Sequence, residues 1–132
     1  MNEEPYFITI KEAVSFHGEE IKRAGGFDGI RDCTCLEAAL MAPKAAFGGV
    51  YLMDLFEMAA VYVESVSTHH PFVDGNKRTG TACALTFLLL NGYEIDERYD
   101  EELADKVLDL VTHKIDRQAL AIYFEERSKQ TR

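Results

Sequence analysis

The chain has 132 residues, 47% of them hydrophobic and 28% charged, which fits one folded domain with its own core and excludes a wholly disordered chain. Its formal net charge is −9, which excludes a general DNA or RNA binder, because non-specific affinity for nucleic acid needs a basic surface. Any anion must therefore be held in a small local pocket. The opening residues MNEEPYFITI carry neither the basic nor the apolar stretch of a secretory signal, and no apolar run approaches the roughly 20 residues that span a bilayer. The expectation is a cytoplasmic chain with no membrane contact. Cys33, Cys35 and Cys83 are odd in number, and the C-x-C pair has no second cluster to complete a zinc site. They read as free thiols in a reducing compartment.

The hydrophobic pattern is helical nearly throughout. Thr9 followed by Glu12 forms a capping box ahead of apolar positions Ile10, Ala13, Val14 and Ile21, and Gly25-Gly26 supplies the stop. Asp32 caps a short second helix through Leu36, Ala39 and Leu40, ended by Pro43. PKAAFGGV, residues 43–50, is a loop or small hairpin flap, placed as a candidate to dock a target. The third helix follows the i, i+3, i+4 template through Leu52, Leu55, Phe56, Ala59, Val63 and Val66. A fourth begins after Gly75 and ends at Asn91-Gly92; residues 82–90 are apolar on nearly every side, which predicts a central, buried helix at about 76–91. Asp100 is placed as the cap of a fifth helix carrying Leu103, Val107, Leu110 and Val111, and Asp116 as the cap of a sixth carrying Leu120, Tyr123 and Phe124. YEI at 93–95 is at most a short extended link. The fold class is all-α, one domain over residues 1–132 with about six helices and polar ends, 1–5 and 128–132, that fray.

The chemistry concentrates at the start of the fourth helix. The first amides of a helix lack intrahelical partners and the macrodipole adds positive charge there, so a helix start behind Gly75 is an anion site, with Asn76, Lys77 and Arg78 adding donors. Asp74 is a hard oxygen ligand that suits Mg²⁺ shared with phosphate oxygens. His70 can accept a proton from a hydroxyl near neutral pH. Base, metal ligand and anion cradle together make a phosphoryl- or nucleotidyl-transfer site. GNKRTGT, residues 75–81, has the glycine frame of a P-loop, but Thr81 stands where its lysine would be and no strand precedes it. A metal hydrolase built on His69, His70 and Asp74 fails for want of a further ligand pair. His17, on the apolar side of the first helix, reads as a packed or capping residue. Tyr51, Phe56, Tyr62, Phe87 and Phe124 read as core.

HPFVDGNKRT, His70–Thr79, resembles the core signature of the Fic/Doc superfamily, and Lys77 resembles its Doc (death on curing) branch. GGFDGIRD at 25–32, DLFEMAAVY at 54–62 and FLLLNGYEI at 87–95 are similar to Doc-type chains in order and spacing. The resemblance implies a Fic fold with ATP as substrate and Mg²⁺ as cofactor. It implies His70 as the base, Phe72 as the anchor of the loop in the core and Asp74 as the metal ligand. Gly75 and the following amides would form the anion hole, with Asn76 positioning a phosphate and Arg78 neutralising its charge.

Two positions separate the reactions found in the superfamily. AMP-transferring members carry glycine where this chain has Lys77 and a second arginine where it has Thr81. The resemblance therefore implies phosphate transfer from ATP bound the other way round, by a toxin whose acceptor is a threonine of translation elongation factor Tu, arresting translation. AMP transfer is the alternative, and a catalytically inactive binding protein a further one. Self-inhibited members carry an (S/T)-x-x-x-E-(G/N) helix; Ser15 to Glu19 followed by Glu20 lacks the final residue. Control by a separate antitoxin chain of the Phd type is the implied alternative.

Overall fold

The computed structural model describes residues 4–131. Among them are six α-helices and two small antiparallel ribbons, the all-α architecture read from the sequence. α1 (Ile10–Ala24) starts at the expected capping box of Thr9 and Glu12 and stops at Gly25, whose φ is 83°. Its inward face is narrower than the apolar spacing suggests. Ile10 and Val14 are exposed, while Ala13 and His17 are buried, because α1 meets a polar loop as well as apolar helices.

α2 (Cys33–Met41) is capped by Asp32, which accepts from the amides of Thr34 and Cys35 at 2.9 and 3.1 Å. Those bonds, the Cys35 amide foremost, hold the Asp32 carboxyl below the usual carboxylate range. Pro43 ends the helix in a 3-10 turn, and a hairpin follows, β1 (Ala46–Phe47) pairing with β2 (Val50–Tyr51). α3 (Leu55–His69) begins at a second capping box, Asp54 with Glu57. That box shuts Leu52 out of the helix and leaves it exposed.

α3 and α4 (Asn76–Leu90) form the centre; α2, α5 and α6 pack on α3, and α1 on α4. The two central helices come together at Gly80. A Cβ on Gly80 would lie 3.2 Å from the Val63 carbonyl oxygen and 3.3 Å from its Cα. α4 buries Cys83, Ala84, Phe87 and Leu88, and burial pushes the Cys83 thiol up to about 12. Leu89 and Leu90 are exposed, so the end of the apolar run faces water.

β3 (Tyr93–Ile95) pairs with β4 (Ser128–Gln130), so most of a stretch read as a fraying end completes a ribbon; residues 1–3 and 132 lie outside the described residues. Asp100 does not cap α5 (Asp100–Val111). Asp96 caps a 3-10 turn, Glu97–Tyr99, that runs straight into it. α6 (Arg117–Arg127) starts at Asp116 as expected. Among the described residues no helix is long and apolar enough to cross a membrane.

Gly80→Val should lower the unfolding free energy by about 1–3 kcal/mol, the usual cost of overpacking a tight contact. Urea denaturation measures it, and unchanged stability would contradict the close approach of α3 and α4.

Candidate active site

The segment between α3 and α4, residues 70–75, is held by a neighbour that the sequence reading left without a role. Residues 25–32, between α1 and α2, run beside it. Arg31 and Asp32 donate their amides to the Pro71 carbonyl at 2.7 and 3.1 Å, Val73 donates to the Gly29 carbonyl at 3.0 Å, and Ile30 bridges Phe72. Gly25, Gly26 and Gly29 all have positive φ. At Gly26 the need for glycine is steric as well, since a Cβ would sit 2.8 Å from Asp74 Oδ2. Three glycines within five residues, just ahead of a cap, were the available signal for a shaped loop.

Phe72 is 1% exposed and stacks face to face on His17, with ring centroids 3.9 Å apart and planes 5° from parallel. Its ring thus lies in the core beneath the loop. His17 is packed, as read, but it also reaches the site: its Nε2 donates to the Asp74 carbonyl at 2.8 Å, because a carbonyl can only accept. The Asp74 carboxylate is exposed, with Oδ1 accepting from the Gly75 amide at 2.9 Å.

Asn76 makes two bonds within the site loop. Its Oδ1 accepts from the Phe72 amide and its Nδ2 donates to the Phe72 carbonyl, both at 3.0 Å. The amide group clamps the loop, leaving one N–H for anything else. Arg78 is tethered to the Gly25 carbonyl at 3.2 Å. Thr81 Oγ1 bonds back to the Lys77 carbonyl at 2.9 Å and so adds no charge beside the helix start.

A cavity of about 420 Å³ opens here, lined by His70, Asp74, Gly75, Asn76, Lys77 and Arg78 together with Ser67 and Val73. The structure thus gathers every expected site residue except Phe72, which lies beneath them in the core. No side chain caps α4 at Gly75, so its first-turn amides keep the unpaired donors that suit an anion. Two cations and one carboxylate line the cavity of a chain whose net charge is −9. His70, among its lining residues, is in a left-handed conformation, φ 48° and ψ 55°.

No group of three or more His, Cys, Asp or Glu side chains is placed to hold a metal ion among the described residues. A single carboxylate does not make a protein cage. It does fit Mg²⁺ that completes its coordination with phosphate oxygens and water.

A larger hollow of about 1240 Å³ lies at the other pole, between the β1–β2 hairpin, residues 4–6 and residues 91–93. The 43–50 loop belongs to that pole. The fifteen residues of α3, about 22 Å of helix, separate it from His70, so the segment flanking the cavity is 25–32 instead.

An all-α domain with a cation-lined cavity at an uncapped helix start is the class of structure that emerges. The sequence profile of the Fic/DOC family matches residues 7–88. The protein kinase doc of Escherichia phage P1 is 34% identical over 108 residues, covering 82% of this chain and 84% of the relative. Toxin Doc of Mycolicibacterium smegmatis is 38% identical over 88 residues, covering 66% and 68%. The chain belongs to the Fic/DOC family, and its relatives place it with the Doc branch.

Asn76→Ala should cost about 1–3 kcal/mol by leaving the Phe72 amide and carbonyl without partners. Thermal and urea unfolding without any ligand check this, and a variant as stable as the parent would return Asn76 to a purely ligand-facing role.

Proposed function

We propose that this protein is a Doc-like toxin that transfers a phosphoryl group from Mg-ATP to a hydroxyl of another protein. The observation that carries this reading is that His70 lines the same cavity as the uncapped start of α4, with Lys77 and Arg78. The phage relative's name, protein kinase doc, supports the same reaction class.

The residues divide the work. The α4 amides, Lys77 and Arg78 hold the phosphates and offset their charge. Asp74, held by His17 and the Gly75 amide, is the group that would take Mg²⁺, which when bound neutralises charge on the phosphates. His70 takes the proton of the acceptor hydroxyl as that oxygen forms its bond to the γ-phosphorus and ADP leaves. Lys77, on the first turn of α4, places bulk and charge where an α-phosphate would need to settle for AMP transfer. Thr81 supplies no second cation. Both favour the phosphoryl reaction.

By the same resemblance the acceptor is a threonine of translation elongation factor Tu in the cytoplasm, and the controlling partner is a separate Phd-type antitoxin. The self-inhibition frame from Ser15 to Glu19 ends in Glu20 instead of glycine or asparagine, and Thr81 offers its glutamate no arginine to pair with, which suits control by another chain.

Incubation with bacterial lysate and ATP labelled at the α or the γ position tests the reading. Protein-bound γ label is expected; α label would mean AMP transfer, and neither would mean a binding protein. His70→Ala should lower transfer by about 10²–10⁴-fold, the usual contribution of a general base, with an unchanged circular dichroism spectrum. Asp74→Ala should lose transfer together with its Mg²⁺ dependence, and undiminished transfer would overturn the metal role.

A further inference from the structure

His70 adopts a conformation that a non-glycine residue holds only when its surroundings impose it. Its place directly before Pro71 restricts it further. A helix ending in a left-handed residue commonly closes through an amide just beyond that residue, which donates back to the last turn. Pro71 has no N–H to give. The end of α3 is therefore left with carbonyls that its own backbone cannot serve.

Arg31 serves them. Its Nε donates to the His70 carbonyl at 2.6 Å and its Nη2 to the His69 carbonyl at 2.9 Å. The guanidinium also lies at the negative end of the α3 dipole. Its own segment is fixed, because the Arg31 amide bonds the Pro71 carbonyl at 2.7 Å, and Nη2 reaches Cys35 Sγ on α2 at 3.6 Å. The fork thus bridges two consecutive carbonyls from a base anchored on both sides of them.

We propose that Arg31 is a positioning residue, whose two-pronged hold on the His69 and His70 carbonyls keeps His70 left-handed and so directs its imidazole over the start of α4. This rests on the reading of His70 as the base. Arg31 reaches His69 and His70 through their backbone carbonyls alone, so it acts on the turnover step through the placement of His70 and leaves nucleotide binding to α4.

The test compares Arg31→Met, which keeps the stem and removes the fork, and Arg31→Lys, which keeps the charge but cannot span two carbonyls, with the parent and with His70→Ala. Transfer of the γ-phosphoryl group gives kcat and KM for ATP, and NMR follows the backbone shifts and the HN–Hα coupling of His70. In Arg31→Met, kcat should fall about 10²-fold, the scale expected for a misplaced catalytic group, with KM unchanged and the His70 signals moved from left-handed values. Arg31→Lys should lie between Arg31→Met and the parent, and it decides the matter if the methionine variant does not fold. Unmoved His70 signals overturn the proposal, as does a higher KM with kcat intact. If His70→Ala still transfers phosphate, the base assignment fails, and the NMR signals alone then decide the clamp.

Discussion

The arrangement at the mouth of α4 depends on one buried ring. Phe72 lies against His17 in the core, and burial of such a side chain contributes about 1.5–3 kcal/mol. Its amide and carbonyl are both taken by Asn76, while its neighbours Pro71 and Val73 are bonded to residues 29–32. With that point fixed, His70 lies two residues to one side and Asp74 two to the other, and little of the backbone between them is left to move. The polar cluster is organised from beneath, by an apolar contact and by backbone bonds from a separate loop.

The electrostatics run against the chain as a whole. A surface with net charge −9 repels polyanions at long range, yet the cavity concentrates Lys77, Arg78 and the unpaired amides of α4 around a single carboxylate. Screening shortens long-range fields to about 8 Å at physiological salt, so an anion that reaches the cavity meets the local cations far more than the distant acids. An acidic chain can in this way keep a locally cationic pocket.

Much of the helix plan was legible because caps are local. Thr9 with Glu12, Asp32 and Asp116 all mark helix starts in the structure. The misread cap, at Asp100, fails because Asp96 opens a 3-10 turn that runs into α5, which a capping pattern does not distinguish from a helix. Leu52 matched the helical period yet lies ahead of the Asp54 cap. On α1, Ile10 and Val14 match the apolar spacing yet face outward, while the buried His17 is bonded to the site loop, and hydrophobic periodicity carries no sign of that. β3–β4 was beyond reach, since three-residue strands at the end of α4 and the end of α6 show no pattern that pairs them. The motif residues were legible by register. Arg31, His17 and the glycines of 25–32 were not, because their contribution is contact across the fold with residues about forty to sixty positions away.

α3 and α6 meet in the core although α4 and α5 lie between them along the chain. That part of the core forms only when a long intervening segment closes on itself, so its loop entropy is spent before the contact returns any stability. The helix that leads into His70 is thus braced by a late, non-local contact.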